Sequence, residues 1–117
     1  MQVQAITRNV RMSAQKMREV VRQIQGLPAE QAAAVLAVVP RKGARFVAKT
    51  LKSAIANAED LKEHKQEYKQ IKTDRLRVKE AVAQTATSIR RFTPKARGSA
   101  GPIIKRNCHI KIILSDE

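Results

Sequence analysis

A long segment in the second half of the chain carries basic side chains and no acidic ones. Between residues 83 and 107 there are six Lys or Arg residues and no Asp or Glu. The six are Arg90, Arg91, Lys95, Arg97, Lys105 and Arg106. Solvated loops usually mix both signs of charge, whereas cationic groups without acidic neighbours bind phosphate well. We therefore interpret this segment as a binding element for a polyanion.

The charge of the whole chain supports this interpretation. The 117 residues include 24 Lys plus Arg and 10 Asp plus Glu, for a formal net charge of +14. Such a balance is typical of nucleic-acid binding, with an anionic membrane surface as the second candidate. The only aromatic residues are Phe46, Tyr68 and Phe92. We therefore expect binding to rest on phosphate contacts and shape rather than on base stacking.

Cys108 and His109 come closest to a catalytic or metal-binding pair. One cysteine and two histidines are too few for a protein-only zinc site, and one cysteine allows no internal disulfide, as is typical of a reducing compartment. Neighbouring strand residues point to opposite faces, so Cys108 and His109 cannot act as nucleophile and base. We expect Cys108 in the core and His109 on the polar face, either at a phosphate or as a plain surface residue. We expect no enzymatic activity, no metal and no cofactor.

Apolar residues at helical spacing predict three helices, within residues 13–26, 28–40 and 41–59. Ser13 offers an N-cap and Gly26 a stop for the first, and Pro40 ends the second. The second helix is almost uncharged, so we predict that it is buried or packed against other helices. The third has a basic outer side, and its spacing can be extended to Thr73.

Three segments predict strands: residues 3–11, 76–82 and 107–114. The first mixes Val, Ile and Thr with polar residues, and the other two change to a period of two. In the second of them, Leu76, Val78 and Val82 would form the apolar face. The predicted fold class is α+β, with three helices packed on a small three-stranded antiparallel sheet. The whole chain, residues 1–117, would form a single domain.

The basic segment connects two of these strands, so we predict that residues 83–107 form a long extended β-hairpin with its tip near residues 93–97. About 11 residues per arm, at ~3.3 Å each, would reach on the order of 35 Å beyond the body. A hairpin with so few apolar residues is marginal in water. We expect it to be mobile when free and ordered by its partner.

Basic residues on the body extend the predicted binding surface. They are Arg11, Lys16, Arg18, Arg41, Lys42, Arg45, Lys49 and Lys52. Amphipathic helices often carry Lys and Arg simply as a solvated face, which is the alternative for the third helix. Two other functions stay open on charge alone. The helices at 28–40 and 41–59 could mimic a helix-turn-helix of a DNA-binding protein, and a small nuclease would need a catalytic role for His109.

Three segments carry a family resemblance. They read VRMS at residues 10–13, LKSAIANAE at residues 51–59 and RRFTPKARG at residues 90–98. In this order they resemble the universal large-subunit ribosomal protein family that is numbered twenty-two in bacterial nomenclature. Gln84, Thr85 and Ala86 depart from the acidic pair and glycine common there. Residues 60–74 look longer than usual, and Ala14 replaces a frequent proline.

The resemblance implies a structural protein of the large ribosomal subunit that binds ribosomal RNA and assists subunit assembly. It implies that the body lies near the outer end of the peptide exit tunnel and that the hairpin lines the tunnel wall. The tunnel-lining tip would comprise Arg90, Arg91, Phe92, Thr93, Pro94, Lys95, Ala96 and Arg97. The implied partners are large-subunit RNA, neighbouring ribosomal proteins and the nascent peptide, without a membrane. We expect a cytoplasmic ribosome, with an organellar ribosome as the alternative.

Overall fold

The computed structural model describes residues 1–116 and has an α+β fold, as predicted. Its helices are Ala14–Val21 (α1), Ala29–Val38 (α2) and Lys42–His64 (α3). Its strands are Gln2–Val10 (β1), Arg77–Thr85 (β2), Ile89–Pro94 (β3), Ala100–Lys105 (β4) and Cys108–Ser115 (β5). The strands form two sheets, one of three strands and one of two. The α+β class is therefore confirmed, and the strand arrangement is more divided than a single three-stranded sheet.

The larger sheet is antiparallel, has the order β1-β5-β2 and packs one face against the helices. Helix α3 lies on β1 and β5, α1 lies on β2, and α2 packs on α3. The alternation predicted for the last strand is confirmed, because four residues of β5 are fully buried on the helix side. They are Cys108, Ile110, Ile112 and Leu114. The core of the body is thus centred on β5.

The predicted apolar face of β2 was wrong after Val78. A bulge between Val78 and Glu80 shifts the pairing with β5 by one residue. Because one extra residue reverses which side chains face the core, Ala81 and Ala83 are buried while Val82 is only half-buried. The simple alternation that we read from the sequence holds only up to this bulge.

The signals that begin and end the helices are mostly confirmed. The Ser13 hydroxyl accepts a hydrogen bond from the Lys16 backbone N–H at 3.4 Å, as an N-cap does. Gly26 takes a φ of +79°, a left-handed conformation that glycine adopts without steric cost. However, α1 already ends at Val21 and residues 22–26 form a turn, so the prediction that Gly26 ends this helix was wrong. Helix α2 packs through Ala32 and Leu36, but its outer side is open and Val38 is 81% exposed. The prediction that α2 packs against another helix is confirmed, whereas its full burial is not.

The extension of the third helix to Thr73 was wrong. Helix α3 ends at His64, and two short 3-10 turns follow at Gln66–Tyr68 and Thr73–Arg75. No apolar residue continues the stripe between Leu61 and Tyr68, so no core contact favours another helical turn there. The chain instead turns back and buries Ile71, which is 1% exposed.

The basic segment forms the second sheet. Strands β3 and β4 pair antiparallel from Ile89 opposite Lys105 to Pro94 opposite Ala100. Residues 95–99 close the pair, where the Lys95 N–H donates to the Ser99 carbonyl. We call residues 89–105 the arm. Between the arm and the larger sheet, residues 86–88 and 106–107 belong to no strand, so the pairing is interrupted where the arm leaves the body.

Candidate nucleic-acid interface

The predicted binding residues converge where the arm joins the body. The end of β1 pairs with the start of β5 through Val10 and Cys108. This antiparallel pairing places Arg11, just after β1, beside Arg106, just before β5. Helices α1 and α3 both begin at the same end of the sheet, so their first basic residues border the same place. Four separate segments of the chain therefore build one basic surface.

A cleft of about 770 Å³ opens at this place, and we call it the junction cleft. Its basic lining residues are Arg11, Lys16, Arg41, Lys42 and Arg106. The acidic residue in the lining, Glu19, lies 3.8 Å from the Arg41 guanidinium in a largely exposed ion pair. One carboxylate among five cations leaves the cleft strongly positive, which suits a phosphate backbone.

Close packing between α1 and α3 holds the two helix starts together. A Cβ atom added at Gly43 would lie 2.9 Å from the Met17 Sδ atom and 3.1 Å from the Met12 Sδ atom. Glycine thus lets the first turn of α3 approach the two methionines, and Met17 is fully buried. This contact sets the distance between Arg41 and Lys42, at the start of α3, and Lys16 on α1.

A second cleft of about 510 Å³ lies along the base of the arm, and we call it the arm cleft. Its lining residues are Arg11, Ile89, Arg91, Lys105, Arg106 and Asn107. Arg11 and Arg106 border both clefts, so the two clefts form one continuous basic track. Asn107 supports the bend of the chain here, because its side-chain amide donates to the Thr87 carbonyl at 3.2 Å.

Apart from Arg91 and Lys105, which line the arm cleft, the remaining predicted residues lie outside the two clefts. The Arg18 Nε atom donates to the Ala83 carbonyl at 3.2 Å, so this side chain braces α1 against β2. Exposed positions on the outer side of α3 hold Arg45, Lys49 and Lys52. Of the predicted tip, Arg90, Arg91, Phe92, Thr93 and Pro94 lie along β3. The closing loop of the arm holds Lys95, Ala96 and Arg97.

His109 and Cys108 have structural surroundings. The Asn9 backbone N–H donates to the His109 Nδ1 atom at 3.0 Å, so this ring nitrogen holds the end of β1. Cys108 is fully buried, as predicted, and points away from His109. Burial raises the pKa of the Cys108 thiol, and the nearby charge of Arg18 offsets this only in part. The geometry separates the two residues that could have formed a nucleophile and a base.

The sequence did not reveal that Arg11 and Arg106 share a site. The signal was present, because Arg11 ends one predicted strand and Arg106 precedes another, but the sequence does not show that these two strands pair. Ile104 was also missed as an apolar residue bordering the junction cleft. Within residues 1–116, no three His, Cys, Asp or Glu side chains lie close enough together to hold a metal ion. In the same part of the chain, every helix is too short or too polar to span a membrane.

The chain is similar to known proteins over nearly its whole length. Residues 5–115 match the family model described as Ribosomal protein L22p/L17e. Similar proteins, each named large ribosomal subunit protein uL22, occur in Opitutus terrae and Akkermansia muciniphila. The first is 48% identical over 99% of this chain and 96% of its own length. The second is 44% identical over 100% of this chain and 98% of its own length. A further relative in Chloroflexus aggregans is 41% identical over 100% of this chain and 97% of its own length. The chain belongs to the ribosomal protein L22p/L17e family.

Proposed function

We propose that the protein binds the RNA of the large ribosomal subunit through the junction cleft, the arm cleft and the arm, and that this binding supports subunit assembly. The observation that carries the proposal is the shared position of Arg11 and Arg106 in both clefts. Basic residues from distant parts of the chain meet there without a matching set of carboxylates. Repulsion between these cations raises the electrostatic free energy of the folded protein, and a bound anion lowers it.

Family membership establishes the general role of the protein. The protein is a structural component of the large ribosomal subunit and not an enzyme. As a ribosomal component with bacterial relatives, it works at the cytoplasmic ribosome. The large-subunit RNA and neighbouring ribosomal proteins are its partners in this setting.

The shape of the molecule supports contact with folded RNA rather than with a base sequence. The principal extents are 66 × 28 × 16 Å, so a narrow arm projects from a small body. Arginine suits such a surface because its planar guanidinium binds phosphate through two N–H groups at once. Contacts to the phosphate backbone recognise the shape of RNA without reading its bases.

We also propose that the arm lines the peptide exit tunnel and meets the nascent peptide. The support is the elongated shape, the exposure of nearly every arm residue and the resemblance of RRFTPKARG to the tunnel segment of the family. An arm without its own core needs a surrounding surface to order it. A narrow RNA-walled passage would supply one.

We expect the Arg90→Ala, Arg91→Ala double variant to be retained poorly in the large subunit, because it cannot form two charge-assisted hydrogen bonds to phosphate. The test is sedimentation of the tagged protein from cell lysate, followed by a high-salt wash of the ribosomal fractions. The affinity for the subunit should fall by roughly 100-fold and the retained fraction should fall with it, since each of the two hydrogen bonds to charged groups contributes about 1.5 kcal/mol or more.

The matched control is Lys65→Ala with Lys69→Ala, which removes the same charge from exposed positions far from the arm. This control should be retained like the unaltered protein. Retention of the Arg90 and Arg91 double variant at the unaltered level would contradict RNA contact by the arm. Release of the unaltered protein itself into free or DNA-bound fractions would contradict the ribosomal function.

The tunnel position is tested by a photoreactive residue. We expect p-benzoylphenylalanine in place of Ala96, in the closing loop, to crosslink to a nascent peptide stalled on the ribosome. The same residue in place of Ala37, on the outer side of α2, should give no such adduct. Equal adducts from both positions, or adducts from Ala37 alone, would show that the arm loop does not face the peptide.

A further inference from the structure

Phe92 is the most exposed aromatic side chain of the body and arm, although it lies in a regular strand. Its exposed fraction is 77%, whereas Phe46 and Tyr68 are packed against the core. The arm has no core that Phe92 could stabilise, since residues 89–105 are exposed except for the half-buried Thr93 and Gly101. Exposure of a phenyl ring to water is unfavourable, and Ile104 on the same arm is 49% exposed, so this apolar surface suits a partner.

The pairing of β3 with β4 divides the arm into two unlike faces. Alternate strand residues share a face, and residues opposite each other on paired strands share it too. One face therefore holds Arg90, Phe92, Pro94, Ala100, Pro102 and Ile104. We call it the Phe92 face. The other face holds Arg91 and Lys105, which border the arm cleft.

The Phe92 face combines an open ring with a single cation. Pro102 lies directly opposite Phe92, and Arg90 lies two residues before it on the same face. The Lys95 side chain lies over Gly101, where a Cβ atom would be 2.6 Å from its Cε atom. Gly101 faces the opposite side of the arm, so Lys95 leaves the ring uncovered.

The Phe92 face is also continuous with the basic track. Ile104 lies on this face and borders the junction cleft beside Arg11 and Arg106. An RNA strand held by its phosphates in the cleft can therefore continue along the Phe92 face. There it would pass the Arg90 guanidinium before it reaches the ring.

We propose that Phe92 and Arg90 form a binding site for one unpaired nucleobase of the RNA. The base stacks on the Phe92 ring, and Arg90 binds a phosphate of the same strand. The inference rests on the proposed RNA-binding function and adds a stacking contact to it. It revises the expectation, drawn from the scarcity of aromatic residues, that binding rests on phosphate contacts and shape rather than on base stacking.

The test uses the full chain and two RNA probes: a stem–loop with an unpaired purine loop and a fully paired duplex of equal length. We expect Phe92→Leu, which keeps an apolar side chain without the ring, to weaken binding to the stem–loop by about 5- to 100-fold. Binding to the duplex should be unchanged. Phe92→Tyr keeps the ring and should bind both probes like the unaltered protein.

Fluorescence gives an independent readout, because the chain contains no tryptophan. Phe92→Trp should bind the stem–loop and lose fluorescence on binding, and abasic sites in the loop should abolish that loss. Tyr68→Trp, on the body, is the control whose fluorescence should not change. Circular dichroism checks that each variant is folded.

Two results would overturn the stacking site. The first is Phe92→Leu binding the stem–loop as tightly as the unaltered protein, which would assign the ring to a protein contact. The second is an equal loss of affinity for the stem–loop and the duplex. If the unaltered protein bound neither probe at low salt, the RNA-binding function itself would fail, and the stacking site with it.

Discussion

The Arg11→Gln, Arg106→Gln double variant is expected to bind large-subunit RNA roughly 100-fold more weakly at low salt. Each of the two lost charge-assisted phosphate contacts contributes about 1.5 kcal/mol or more. These two residues border both the junction cleft and the arm cleft, so their replacement interrupts the basic track at its middle. Filter binding over a range of salt concentrations measures the effect. The slope of log affinity against log salt should fall by about two, one for each phosphate that the variant no longer neutralises.

The control for this variant is Arg75→Gln with Arg77→Gln. It makes the same change in net charge near the other end of the sheet, where Arg77 pairs with Ser115. We expect only a small loss of affinity, from the weaker long-range field. Equal losses of affinity in the two double variants would mean that the RNA responds to net charge and that the clefts have no special role.

Ile112→Ala is expected to have the largest effect on stability. Ile112 is fully buried in the central strand, and its β1 and β2 neighbours are the small residues Ala5 and Ala81. Removing three buried carbons should therefore cost about 3 kcal/mol of the free energy of unfolding. Urea denaturation should show this decrease, and thermal unfolding should shift down by roughly 10 °C.

Ile113→Ala is the matched control on the same strand. Ile113 points to the other side of the sheet and is half-buried between Gln4 and Glu80. We expect it to cost well under half as much as Ile112→Ala, because less apolar surface returns to water. A larger decrease for Ile113→Ala would show that the helix side of the sheet is not the core.

The features that sequence reasoning predicted well are those set by neighbouring residues. The buried alternation of β5 follows from Cys108, Ile110, Ile112 and Leu114, because a strand with one covered face repeats every two residues. The first turn of α1 begins after Ser13, since a hydroxyl at this position accepts a backbone hydrogen bond. These local signals do not depend on what the rest of the chain does.

The features that it missed depend on distant parts of the chain. The bulge that turns Val82 away from the core is visible only in the pairing of β2 with β5. The end of α3 at His64 depends on Ile71 reaching the core from a later segment. The clefts were missed for the same reason. The sequence identifies each basic residue separately. That Arg11 lies beside Arg106 follows only from the antiparallel pairing of β1 with β5.

The central position of β5 also decides when the body can fold during synthesis. Strands β1 and β2 both pair with β5 and not with each other, yet β5 is made after both of them. The basic arm lies between β2 and β5 in the chain, so it too is synthesised before the sheet can close. The sheet on which α1 and α3 pack lacks its central strand until then. The body therefore forms in one late step, and the arm is available to RNA before the domain that carries it is complete.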